Sequence, residues 1–248
     1  INSVSVGKGA NSVAGNTVLG ESALDASVSG GNNTAIGKQA LTALTSGAAN
    51  TSIGKGALDA NTTASFNTAV GTDALGGNTT GANNTSVGYD SLISNTTASN
   101  NTAVGKSALA VNTTGTRNVA VGANALDSNT TANDNTAVGY DSLTTNTTGT
   151  LNVAVGQSAL RDNSTGTVNT AVGAHSMIKN QTGIENVAIG TSALENNTSG
   201  DNNVAVGRSA LGSNTTADNN TAVGKNALNV NTTGTQNTAV GALALDAN

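Results

Sequence analysis

Cysteine, proline and tryptophan are absent from this 248-residue chain, and two tyrosines and one phenylalanine are its only aromatic residues. Without cysteine, neither disulfides nor thiolate metal sites can hold the fold together. With so few large rings, the interior cannot resemble that of an ordinary globular domain. The apolar 36% of the sequence is carried largely by alanine, valine and leucine. Stability must therefore come from stacking.

Charge is scarce as well. Charged residues make up 9% of the chain and the formal net charge is −5, so we expect no attraction to nucleic acid or to an anionic membrane. No apolar run approaches the roughly 20 residues of a membrane span, and no signal-peptide pattern opens the chain. Because it begins at Ile1 and stops at Asn248, where another Asn-Thr-Thr turn would start, we expect a segment of something longer.

What the sequence does contain is a seventeen-residue repeat. A marker glycine recurs from Gly20 to Gly241 in thirteen equal intervals that join fourteen units. Strict periodicity of this length predicts a solenoid in which each coil is covered by its neighbours. Positions are counted below from the marker glycine, so that −4 is the fourth residue before it and +4 the fourth after it.

The unit from Asn101 to Arg117 shows the pattern, N-T-A-V-G-K-S-A-L-A-V-N-T-T-G-T-R. Thr-Ala-Val alternates like a short strand, glycine ends it, and Ala108 and Leu109 predict a second short strand. Asn-Thr-Thr-Gly is typical of turns. Glycine and β-branched residues recur too often for helix. The sequence thus predicts an all-β parallel β-roll or β-solenoid with seventeen-residue coils.

Stacking turns each position into a ladder of like side chains. The sequence predicts an interior of Val/Ile (as at Val104) and Leu (as at Leu109), with hydrogen-bonded asparagines at −4, present in all fourteen units. A coil buries only two or three medium side chains, which is little stabilising area. We therefore expect a homo-oligomer, with the Ala/Ser strip at −2 (as at Ala103) as the seam between chains.

Two stretches resemble known fibre repeats. Ser3–Gly20, with thirteen residues from Gly7 to Gly20, resembles the head repeats of trimeric autotransporter adhesins. The N-T-A-V-G-x-x-A-L-x-x-N-T-T-G units resemble arrays in bacteriophage tail fibres and other virion fibres. The resemblance implies a homotrimer of left-handed β-rolls, with residues 1–19 as a short-coil, adhesin-head-like start and residues 20–248 as one continuous roll. No binding residue is carried over, because these coils are longer than those of the adhesin heads.

Candidate chemical groups do not form a pattern. His175 is the only histidine, and it occupies a +2 position where other units carry Ser107 or Asn124. Paired carboxylates, such as Asp59 with Asp73 or Glu185 with Glu195, recur at no fixed position in the unit, and calcium-loop signatures are missing. We predict no catalytic, cofactor-binding or metal residue, no cofactor, and no enzyme activity.

Three surface features have alternative interpretations. Position +1 is often basic, which predicts an exposed row or a stripe for a polyanion: Lys38, Lys55, Lys106, Arg208 and Lys225. Tyr89, Tyr140 and Phe66 are too few for a glycan-binding tip, which favours a shaft. Asn-Thr-Thr matches the N-glycosylation acceptor pattern, as at Asn61, Asn95 and Asn129, although turn chemistry also explains it.

These observations predict a structural fibre segment, the shaft of a phage tail or virion fibre that presents a host-recognition end. Its expected partners are copies of itself, other fibre or virion proteins, and a host receptor or glycan. The alternative is the head or stalk of a bacterial trimeric autotransporter adhesin at the cell surface. A third hypothesis is an ice-binding solenoid, but the two threonines of Asn-Thr-Thr are adjacent and should not share one flat face.

Overall fold

The computed structural model describes residues 5–246, and no helix occurs in that range. Every strand but β2 is three residues long. β2 ends at the marker Gly20, and each later strand ends one residue before a marker glycine. The strands are β1 (Ser5–Gly7), β2 (Thr17–Gly20), β3 (Thr34–Ile36), β4 (Thr51–Ile53), β5 (Thr68–Val70), β6 (Thr85–Val87), β7 (Thr102–Val104), β8 (Val119–Val121), β9 (Thr136–Val138), β10 (Val153–Val155), β11 (Thr170–Val172), β12 (Val187–Ile189), β13 (Val204–Val206), β14 (Thr221–Val223) and β15 (Thr238–Val240).

The chain forms two compact units, residues 1–123 with β1–β8 and residues 124–248 with β9–β15. From β2 onward, neighbouring strands within a unit are parallel and in register. Ala69 lies opposite Ser86 in the first unit, and Ala154 lies opposite Ala171 in the second. The partners are seventeen residues apart in each case, so the predicted parallel β-solenoid is confirmed.

The first strand pairs differently. β1 runs antiparallel to β2, with Val6 opposite Leu19 and Gly7 opposite Val18. The segment before Thr17 is therefore joined to the first coil by a reversal of chain direction. Its assignment to adhesin-like head repeats stays a prediction, and residues 1–4 lie outside the described part.

The predicted second strand of each coil is wrong. Ala108 and Leu109 lie in a run of turns, where Ser107 and Leu109 have φ values of 55° and 52°. Alternating left- and right-handed residues cannot extend as a strand. The main chain still bonds to both neighbouring coils: Ser107 N–H donates to Tyr89 O at 2.9 Å, and Leu92 N–H donates to Ala108 O at 3.0 Å.

The prediction for the interior is confirmed for the leucines and wrong for the Val/Ile side chains. The leucine ladder is buried, and Leu109 has no exposed surface. The Val/Ile ladder is not interior, because Val104 is partly exposed whereas Ala103 is fully buried. The Ala/Ser strip at −2 thus lines the inside of each coil and is not a seam between chains. Position −2 is Ala or Ser in every coil that also holds asparagines at −4 and +7, whereas the first coil, with Ser27 at +7, buries Val18 there.

Candidate functional site: the outward sheet face

The outward sheet face consists of the side chains at −3 and −1 of β2–β8 in the first unit and of β9–β15 in the second. Position −3 is always Thr or Val, and position −1 is always Leu, Ile or Val. None of these residues is ionisable, although the chain carries 23 charged side chains, nine basic and fourteen acidic. Interface centres are depleted in charge in the same way.

This face is regular. Because the strands pair in register, like residues follow one another at about 4.8 Å along each row, and the two rows lie about 6.6 Å apart. Most side chains on the face are half-buried by their neighbours in the same row. Ile53 and Ile189, at 37% and 42% exposed, are among the more accessible. Each unit therefore presents a regular, uncharged surface of methyl groups and threonine hydroxyls.

Charged residues lie beside this face. The basic +1 residues are all exposed, as predicted. Lys38 Nζ lies 3.2 Å from Glu21 Oε2, and both side chains are about half exposed, at 53% and 52%, so the pair contributes at most about 1 kcal/mol. Thr72 and Tyr89 occupy +1 in the coils that follow Lys55. The row is thus interrupted and does not form a long basic stripe.

Two asparagine ladders hold the coils together from within. In one coil, Asn50 Nδ2 and Asn61 Nδ2 both donate to Ala64 O, at 2.9 and 3.1 Å. Asn67 N–H donates to Asn50 Oδ1 of the preceding coil at 3.0 Å, and Asn78 Nδ2 donates to Asn61 Oδ1 at 3.2 Å. The predicted ladder at −4 is confirmed. The second ladder, at +7, was predicted only as turn residues.

The second unit repeats this arrangement. Asn152 Nδ2 and Asn163 Nδ2 donate to Gly166 O at 2.9 and 3.1 Å, and Asn180 Nδ2 donates to Asn163 Oδ1 at 2.8 Å. Buried amides stabilise a fold only when their partners are present. A shift of one coil by a single residue would remove those partners, so the ladders fix the register.

The other candidate groups do not assemble into a site. His175 is half-buried at its +2 corner, whereas Glu185 is exposed and Glu195 half-buried. Tyr89 and Tyr140 are each 54% exposed, and Phe66 is 65% exposed. Among residues 5–246, no group of three or more His, Cys, Asp or Glu side chains could hold a metal ion.

One carboxyl group, that of Asp127, has a raised pKa. Burial, and secondarily the charge of Asp141, raises the pKa of Asp127. An acid whose pKa is higher in the folded state stabilises the fold below its unfolded pKa of about 4, and this contribution is lost as the pH rises through the folded pKa.

Asp127→Asn should therefore make the second unit slightly more stable than wild type at pH 7. Urea unfolding at pH 3.5 and pH 7 would show the difference shrinking in acid; a difference independent of pH would contradict it.

No helix within the described range is long and apolar enough to cross a membrane. No protein-family model matches the sequence, and no curated protein matches it either. The geometry of the coils and of the outward sheet face is therefore the basis for a functional assignment.

Proposed function

We propose that this chain is a structural segment of a fibre, with no catalytic role, and that copies of it associate through the outward sheet face. The observation that carries the proposal is the absence of charge from every −3 and −1 position, while exposed charged residues lie beside the face at +1. Uncharged surfaces of this regularity on soluble proteins mark interaction sites. The buried side chains of each coil are already used in contacts with the neighbouring coils.

The seam between chains therefore moves from the Ala/Ser strip to the outward sheet face. Ala103 cannot contact another chain because it has no exposed surface, whereas Thr102 and Val104 on the same strand are accessible. Identical chains usually associate with closed symmetry. The resemblance to fibre repeats supports three copies and a left-handed coil.

The same resemblance supports a more specific role, as the shaft of a bacteriophage tail or virion fibre that presents a host-recognition end located elsewhere. The alternative, a bacterial surface adhesin, differs in its flanking regions. A C-terminal membrane-anchoring β-barrel in the full-length gene would favour the adhesin, and a baseplate-attachment or chaperone region would favour the phage fibre.

Self-association has a direct test. Native mass spectrometry of the purified chain is expected to give about three times the single-chain mass of 23.9 kDa. Val104→Lys places a charge on the face, with a strand on either side, and should weaken association at least tenfold, because an unpaired buried charge costs several kcal/mol. Circular dichroism should show that the coils persist.

The matched control is Thr97→Lys, which adds the same charge to an exposed +9 threonine away from the face. It should leave the assembly intact. A stably folded wild-type particle of one chain would contradict the proposal, and equal effects of the two lysines would contradict the choice of face.

A second candidate function is ice binding, and one observation favours it. Threonine occupies −3 in β2–β7, in register and beside the aliphatic row at −1, so this face bears a regular row of hydroxyls next to a row of methyl groups. This arrangement of hydroxyls does not involve the adjacent threonines of the Asn-Thr-Thr turn. Thr79 Oγ1, at +8, donates to Thr96 O at 2.9 Å and is used in stacking. A single-chain particle with thermal hysteresis would favour this function, and absence of hysteresis would eliminate it.

A further inference from the structure

N-glycosylation acceptor segments repeat through the chain at +7. An asparagine there is followed by any residue other than proline and then by Thr or Ser, which is the acceptor pattern. Eleven consecutive units carry it: Asn61, Asn78, Asn95, Asn112, Asn129, Asn146, Asn163, Asn180, Asn197, Asn214 and Asn231. These are called the turn asparagines below.

The turn asparagines are at most 3% exposed. Asn95 shows how the amide is used. Its Nδ2 donates to Asn78 Oδ1 at 2.8 Å and to Ala98 O at 3.0 Å, and its Oδ1 accepts from Asn112 Nδ2 at 3.1 Å. Both amide hydrogens are therefore engaged inside the coil.

N-glycosylation would remove one of these hydrogens. In the transfer, the amide nitrogen forms a bond to the first carbon of an oligosaccharide carried on a polyprenyl pyrophosphate. The pyrophosphate leaves with the electron pair of the broken bond, and the nitrogen loses one proton. The modified Asn95 would lose one of its two donor bonds and would place a sugar in a close-packed interior. A coil with that sugar cannot stack.

A second set of acceptor segments is accessible. Asn32, Asn83, Asn100 and Asn219 lie at +12, each is followed by Asn-Thr, and all four are exposed. These corner asparagines have φ between 59° and 63°, a region that asparagine tolerates. The main chain at this corner is hydrogen-bonded to the preceding coil, since Asn100 N–H donates to Ala82 O at 3.1 Å. Within the described residues, the four side chains make no hydrogen bond, so a sugar there would break none.

We propose that the folded solenoid carries N-linked oligosaccharide only at the four corner asparagines, and that a sugar on any turn asparagine keeps its coil out of the stack. This inference does not depend on the proposed fibre function.

The test is to express the full chain with a secretion signal in a eukaryotic host and to separate protease-resistant from protease-sensitive material. Sugars are then mapped in both fractions by peptide mass spectrometry. The resistant fraction should carry them at the corner asparagines alone, and those on turn asparagines should all be in the sensitive fraction. A sugar on a turn asparagine, or bare corner asparagines, in the resistant fraction would overturn the proposal.

A matched variant removes the internal acceptors without changing the ladders. Alanine replaces the exposed Thr or Ser at +9 in the eleven units, as in Thr97→Ala. Two further buried asparagines, Asn50 and Asn84, are also acceptors, and Ser52→Ala and Ser86→Ala remove them. Asn196 is a half-buried acceptor whose Nδ2 donates to Gly212 O at 2.6 Å, and Asn196→Ala removes it. Each change introduces a residue type that other coils carry at the same position. The variant should raise the resistant fraction several-fold. An unchanged resistant fraction would show that the buried acceptors are not the obstacle and would overturn the proposal.

Discussion

Gly71→Ala is expected to lower the free energy of unfolding of the first unit by roughly 3–5 kcal/mol. Gly71 has a φ of 138°, which side-chain-bearing residues rarely adopt, and an added Cβ would lie 2.5 Å from Gly88 O of the next coil. Relief of this contact would separate coils that are joined by a 2.8 Å bond from Gly88 N–H to Val70 O. The marker glycines from Gly20 to Gly105 and from Gly139 to Gly224 all face the next marker glycine in this way.

Gly76→Ala, in the same coil, is the matched control. Its φ lies outside the left-handed region, the nearest atom to an added Cβ is Asp73 O at 3.2 Å, and Ala110 occupies the equivalent position in another coil. We expect a change within about 1 kcal/mol. Urea unfolding, with hydrogen exchange of the neighbouring coils, measures both variants. If both variants lost similar amounts of unfolding free energy, the close approach of neighbouring coils would not be the reason that the marker position is glycine.

Asn95→Leu should cost about 2–5 kcal/mol, because Asn95 has a ladder partner on either side and its loss interrupts the +7 ladder. The change leaves Asn78 Oδ1 without its donor and Asn112 Nδ2 without one of its acceptors, and each lost buried partner costs about 1–3 kcal/mol. Volume is not the obstacle. Leu44 occupies +7 in an earlier coil and is fully buried there.

Asn61→Leu provides the comparison. Asn61 begins the ladder next to Leu44, and the ladder partner it bonds is Asn78, whose Nδ2 also donates to Gly81 O. We expect about half the loss found for Asn95→Leu, measured as the shift of the urea midpoint. Equal losses would mean that the ladder is not cooperative along the stack and that each amide matters only within its own coil.

The seventeen-residue period was sufficient to predict the parallel pairing. Identical units can bury the same positions in every coil only if like residues lie opposite one another, as Ala69 and Ser86 do. The Asn at −4 was likewise predictable as a ladder, since a buried amide repeated at a fixed position has its own copies as the nearest partners. The composition by itself ruled out disulfides and large aromatic cores.

Which face of the strand lies inside was decided only by the tertiary structure. Alternation of Thr102, Ala103 and Val104 shows that two faces differ, but hydrophobicity alone assigned valine to the wrong one. The interior already holds Leu109, which lies in a left-handed turn at φ 52°, and the asparagines at −4 and +7. These groups come from turns whose conformation the repeat does not encode in any simple pattern. In the coils that these groups fill, position −2 is Ala or Ser and the larger Val/Ile side chains face outward, whereas the first coil, with Ser27 at +7, has room for the buried Val18 at −2.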